Sequence, residues 1–268
     1  MANEKMLKLL NANRIISKNS DKILSYFFKY KFELISLFFI SFLYIFPRII
    51  SDANYNDDIF RSTTGDAFWW YYNGRPLVVW FMQGLNQNSL LADMTPLPVI
   101  LGVVFFVSCC IFFMMKLLEE CSKFTRFAIC AVFIVNPFFI SNISYKYDSF
   151  PMYTALGLSV VASLIWSDKS NIYKEILRSV IVISILCLYQ AALSLIISLI
   201  SIDFCVSALK GRVDFRQKIY RVATVIFSYL IYAKIIAPHY LRYIYVDMSQ
   251  HVPFTHAGLI LLKENIKT

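Results

Sequence analysis

Charge is scarce in this chain: 16% of its 268 residues are Asp, Glu, Lys or Arg, while 58% are hydrophobic. A soluble domain of that length does not carry so much apolar surface. Apolar/polar alternation is missing too. The apolar runs are continuous, several for about 18 residues or more without a charge, which excludes a β-barrel and marks membrane-spanning helices. A cleavable leader is missing: residues 1–31 are polar and basic, with no short apolar core before a small-residue cleavage site. The first span is therefore expected to be an uncleaved anchor. Paired cysteine motifs are lacking. Cys109, Cys110, Cys121, Cys130, Cys187 and Cys205 lie in apolar runs or in the short loop beside Lys123. No CxxC occurs, so neither disulfides nor structural zinc are expected. The histidines, His239, His251 and His256, share the tail at a spacing that matches no metal motif.

What is present is an all-α, polytopic transmembrane helical bundle. The net charge of +9 does not indicate nucleic acid, because the basic residues flank the apolar runs in short loops, where they set orientation in the bilayer. Residues 1–31 read as a cytoplasmic basic segment, with 12–30 as an amphipathic helix on anionic lipid. The first span is expected over 32–50, with Arg48 snorkelling to the interface at its far end. Spans follow over 97–118, 127–143 (interrupted at Asn136-Pro137) and 151–166. The apolar run 179–209 is ambiguous. As one helix it would be roughly 46 Å long, against about 30 Å of hydrocarbon. One crossing would also put Lys210, Arg212, Arg216, Lys218 and Arg221 outside, against the bias of every other loop. A hairpin or re-entrant pair turning near Tyr189-Gln190 resolves both conflicts. A last span over 222–237 completes a bundle of residues 32–237 with about seven crossings, the N-terminus inside and the tail 238–268 outside.

The chain is organised around the outer loop 51–96, which holds Asp52, Asp57, Asp58, Asp66 and Asp93 together with Arg61, Arg75 and Phe68-Trp69-Trp70-Tyr71-Tyr72. Thr63-Thr64-Gly65-Asp66 reads as a helix start with Thr63 as cap, and 77–85 as a second short surface helix. Acids, arginines and interfacial aromatics in one loop suit a charged lipid headgroup. Asp57 and Asp58 are candidate catalytic bases for an acceptor hydroxyl, and the pattern leaves open which acts. Arg61 and Arg75 are candidate phosphate ligands, since guanidinium grips phosphate in bidentate fashion. Lys146, Tyr147 and Asp148 in the second outer loop form a candidate second wall. Tyr189 and Gln190 are expected to border the site, because non-helical backbone at membrane depth must be buried or line a wet cavity. Asp66 and Asp93 read as structural. The pattern names no cofactor, although a divalent cation beside a carboxylate is compatible with phosphate binding.

Asn56-Asp57-Asp58-Ile59-Phe60-Arg61 after the first span resembles the start of the first outer loop in bacterial serotype-converting O-antigen glucosyltransferases. Gly74-Arg75-Pro76-Leu77, Asn136-Pro137-Phe138, Tyr147-Asp148-Ser149 and Leu188-Tyr189-Gln190-Ala191 are similar as well. The resemblance covers about residues 30–235. It implies a GT-C-type fold in the bacterial inner membrane with a periplasmic active face. It also implies a polyprenyl-phosphate-glucose donor, an O-antigen (lipopolysaccharide) acceptor and an inverting displacement. Family members are longer, so the tail is expected to be shortened. Two other classes fit the bulk pattern: a non-catalytic transporter or flippase component for lipid-linked sugars, and an inactive remnant of the enzyme. A transporter more often buries ionisable residues at mid-membrane, whereas these spans are nearly free of acids.

Overall fold

The structure is a computed structural model that describes Ser25, residues 28–51, 53–55, 57–166 and 171–209, Gly211 and residues 214–241. Most of the basic N-terminal segment, and most of the tail with His251 and His256, lie outside the described residues. Among the described residues there is helix but no strand. Five helical stretches are long and apolar enough to cross a membrane: Phe28–Ile50, Leu97–Leu117, Lys123–Ser144, Gln190–Leu209 and Phe215–Tyr240. Shorter helices occupy the remaining expected spans. The chain is thus an all-helical, multi-pass membrane protein.

In chain order α1 is Phe28–Ile50. The 51–96 loop carries α2 (Asp58–Thr64), α3 (Trp69–Tyr72) and α4 (Pro76–Asn86). Then come α5 (Leu97–Leu117), α6 (Lys123–Ile134), α7 (Ile140–Ser144), α8 (Ser149–Trp166), α9 (Ile172–Leu188), α10 (Leu193–Leu209), α11 (Phe215–Ile231) and α12 (Ala237–Tyr240). The centre of the bundle is the contact of α5 with α8. It is close because neither Gly102 nor Gly157 has a side chain to hold the helices apart. A Cβ on Gly102 would come within 3.1 Å of the Phe150 Cα, and one on Gly157 within 2.7 Å of the Phe105 ring. In lipid, where apolar burial drives helices together only weakly, such small-residue contacts govern packing.

The expected break at Asn136-Pro137 is present. Proline has no N–H to continue α6, which ends at Ile134, and a 3-10 turn over Pro137–Phe139 leads into α7. Asn136 caps that turn, accepting from the Phe138 N–H at 3.0 Å, and its carbonyl accepts the Tyr44 hydroxyl of α1 at 2.7 Å. The run 179–209 is broken where expected. Helix α9 stops at Leu188, a 3-10 turn covers Gln190–Ala192, and α10 returns. Thr224 of α11 donates to Glu175 near the start of α9 at 2.7 Å, and Lys218 and Arg221 pair with Asp203 late in α10. Both arms therefore end against the same stretch of α11, which makes the pair a hairpin.

Three local expectations need correction. Helix α9 begins at Ile172, well before residue 179. Asn171 caps it through the Lys174 N–H at 3.0 Å, while Arg178 pairs with Glu175 and reaches the Ile165 carbonyl at 2.8 Å. Thr63 does not start a helix. It lies in the last turn of α2, which opens at Asp58 and ends on Gly65 in the left-handed region at φ 68°. Arg48 does not snorkel outward. Its Nη1 donates to the Ala53 carbonyl at 2.7 Å and its Nη2 lies 3.9 Å from Asp58, so local acceptors fold it inward.

Candidate functional site

The 51–96 segment, the 145–148 loop and the tip of the α9–α10 hairpin meet at one end of the bundle. Asp148 is the hub. Its carboxylate accepts from the Trp70 indole N–H at 2.9 Å and from Arg75 Nη1 at 2.7 Å, and Arg61 Nη1 lies 2.8 Å away. The Arg61 contact has ion-pair distance but not hydrogen-bond alignment, so it is chiefly electrostatic. Arg61 also lies over the Trp70 ring at 4.5 Å and Arg75 over the Tyr189 ring at 5.8 Å. Planar guanidinium suits both stacking and bidentate pairing.

The adjacent acids have separate fates. Asp58 is fully buried and accepts backbone N–H groups from Tyr55 at 3.2 Å, Lys146 at 2.9 Å and Tyr147 at 3.5 Å. Burial raises its carboxyl above the ordinary value, against the pull of those N–H groups, and the Asp148 charge adds to the rise. Asp57 has a side chain 59% exposed, 3.7 Å from Arg61 one helical turn away. Asp58 thus staples two loops, while Asp57 stands at the rim.

Lys146 does not pair locally with Asp148; it reaches Asp93 at 2.8 Å. Partial burial opposes ionisation of Asp93, but hydrogen bonds from Lys146 and Thr95 prevail and hold its carboxyl at about 2. Arg48, Arg61, Arg75 and Lys146 are therefore matched in number by Asp57, Asp58, Asp93 and Asp148. Tyr147 is buried beside this cluster. Among the described residues no group of three His, Cys, Asp or Glu side chains converges as a metal site needs.

The hairpin tip supplies the other wall. Arg75 Nε donates to the Leu188 carbonyl at 2.7 Å. Gln190 donates to the Asn73 carbonyl at 3.1 Å and to the Tyr232 hydroxyl at 2.8 Å, and Tyr232 in turn donates to the Gly74 carbonyl at 2.8 Å. Gly74 sits at φ 77°, and a Cβ there would come within 2.6 Å of that hydroxyl. A π-helical turn over Tyr232–Ile236 at the end of α11 accompanies this contact. Sequence reasoning missed Trp70 as a single partner within an aromatic run, and Tyr232 altogether. Glycine before Arg75-Pro76 was the one visible sign of a tight approach. It also missed the roles of Arg48 and Asp93.

Two clefts flank the tip. An apolar groove of about 500 Å³ runs between α4, α9 and α12, with Pro76, Leu77, Trp80, Ile183, Cys187 and Ile236 among its walls. Pro76 follows Arg75 in the chain, and Cys187 precedes Leu188, whose carbonyl accepts from Arg75. A second cleft of about 330 Å³, between the Asn136–Asn142 segment, α8 and α10, includes Tyr189.

The fold is that of a multi-pass helical membrane protein with buried arginines and carboxylates paired at one end of the bundle. The chain belongs to the glucosyl transferase GtrII family, whose model matches residues 46–259. It is also 33% identical, over 162 residues, to an uncharacterized 55.3 kDa protein in the gtrB 5′ region of Salmonella phage P22. That match covers 60% of this chain and about a third (33%) of the phage protein. No solved structure matches the chain.

Proposed function

We propose that the protein transfers glucose from a polyprenyl-phosphate carrier to an O-antigen acceptor at the periplasmic face of the bacterial inner membrane. The observation that carries this reading is the apolar groove walled by Pro76 and Cys187, the chain neighbours of Arg75 and of the Leu188 that accepts from it. An apolar groove next to the segments that hold a buried guanidinium suits a lipid tail joined to a phosphate. Arg75 Nη2 and Arg61 Nε are buried and meet no acceptor among the described residues, so each has a donor left for phosphate oxygens. Family membership supports the glucosyl part of the reading.

In this mechanism Asp57 is the base, because it is the exposed member of the pair and an acceptor hydroxyl can come within hydrogen-bond reach. It takes the hydroxyl proton as the acceptor oxygen attacks the anomeric carbon. The bond from that carbon to the phosphate oxygen breaks, and its electron pair leaves with the phosphate. Arg61 and Arg75, with Lys146 nearby, stabilise the departing charge, and the anomeric centre inverts. Asp58 and Asp148 position these groups. Tyr147, Tyr189 and Gln190 wall the site.

The test is expression in a host that makes lipid-linked glucose, with glucosylated O-antigen measured directly. Asp57→Asn is expected to lose transfer by about 100-fold or more, the usual scale for a lost general base, while remaining in the membrane. Unchanged modification in that variant would remove Asp57 from the mechanism. No modification by the native chain would favour the transporter or remnant readings.

A further inference from the structure

The second cleft, which Tyr189 lines, differs in chemistry from the apolar groove. None of its lining residues carries a charge. Asn142 is only 3% exposed. Its carbonyl oxygen accepts the Ser141 hydroxyl at 3.2 Å and the Tyr189 hydroxyl at 3.5 Å, yet its amide N–H groups meet no acceptor among the described residues. Asn136 is alike: its oxygen is used by the Phe138 N–H at 3.0 Å, and its amide donors are unmatched among the described residues. The facing wall, on α10, presents the complement. Ser194 and Ser198 donate to the Ala191 and Ser194 carbonyls at 2.7 and 2.8 Å, which leaves their lone pairs toward the cleft. Aromatic surface comes from Tyr189 and from Phe138, which is 85% exposed.

A primary amide whose donors meet no protein acceptor is left to a ligand or to water. Unused donors on one wall, lone pairs on the other and aromatic faces between them match a pyranose. Its hydroxyls both donate and accept, and its C–H face packs on rings. The absence of lining charge argues against a phosphate, which Arg61 and Arg75 suit instead. We propose that this cleft binds a neutral pyranose ring of the acceptor glycan, with Tyr189 common to the cleft and to the Arg75 contact. The inference rests on the transferase reading for the word acceptor, but the chemistry of the cleft stands apart from it.

The experiment places the photo-crosslinking residue p-benzoylphenylalanine at Ser198 of the full chain, in membranes of a host that makes O-antigen and of an isogenic host that does not. A glycan-bearing adduct is expected only in the first, whether or not lipid-linked glucose is made. The same adducts in both hosts would mean that bilayer lipid fills the cleft. An adduct that needs lipid-linked glucose would assign the cleft to the donor. Either result overturns the proposal. Adding Asn142→Leu is expected to cut the adduct at least fivefold at equal protein level, and an undiminished adduct counts against the proposal. If that variant does not accumulate, Ser194→Phe, which fills the cleft from an exposed position, gives the same reading. The adduct is expected to persist in Asp57→Asn. Lost transfer with a retained adduct therefore tests the enzyme reading, and a lost adduct tests the cleft.

Discussion

Asp57 and Asp58 are neighbours in the chain with opposite surroundings, and only side-chain burial distinguishes them. Nothing in the order of the two letters says which one turns inward. The decision comes from Tyr55, Lys146 and Tyr147, whose N–H groups surround Asp58. Asp148 has similar standing through Arg61, Arg75 and Trp70. Asp148→Asn would leave two buried guanidiniums short of their counter-charge, at a cost of about 3–5 kcal/mol for breaking a buried pair. A large fall in the melting temperature of the detergent-solubilised protein is the expected readout. Asp93→Asn should cost no more than about 1 kcal/mol, because the Asp93 side chain is 38% exposed and its pair with Lys146 is screened. The sign with pH follows from its lowered carboxyl. The stabilisation is complete above the unfolded value of about 4 and is lost as pH falls through about 2. The melting difference between native protein and Asp93→Asn should therefore be constant near neutrality and shrink below about pH 4. A difference that grew with acid would refute that pairing.

At the scale of elements, the Tyr232–Gly74 contact fastens the end of α11 to the loop that carries Arg75. Gly74→Ala combines a left-handed backbone, costing about 1–2 kcal/mol for a residue with a Cβ, with a collision against the Tyr232 hydroxyl. Reduced thermal stability and reduced transfer are both expected, and Tyr232→Phe should lower transfer with a smaller loss of stability. If Gly74→Ala melts and works like the native protein, this contact does not hold the site. The helices were legible where physics is local: continuous apolar runs gave the spans, Pro137 gave the break, and the length of 179–209 gave the hairpin. The start of α9 was not, because Lys174, Glu175 and Arg178 read as a loop, whereas Asn171 caps the helix there, Arg178 reaches the Ile165 carbonyl and Glu175 takes Arg178 and Thr224. Nor was the end of α2, since Thr63-Thr64-Gly65-Asp66 fits a helix start as well as a stop. The site residues were legible as types and as a group. Their partners were not, because Arg75 and Asp148 are 73 residues apart and Lys146 and Asp93 are 53 apart.

For the whole molecule, the hairpin sets which ends of the helices share a side. The start of α11, with Lys218 and Arg221, lies against Glu175 and Asp203, away from the arginine–carboxylate site. A reporter fused near Arg216 is expected to behave as cytoplasmic, with one in the 51–96 loop on the opposite side. An external signal near Arg216 would refute this arrangement. The Arg61–Asp148–Arg75 triad has a further consequence for turnover. In the proposed reaction a carrier would arrive as a phosphodiester and depart as a monoester, more negative and harder to release from a cationic pocket. Asp148 is a tethered rival anion that never leaves. By keeping hold of both guanidiniums, it would limit how tightly the pocket grips the spent carrier and so ease its exchange for the next one.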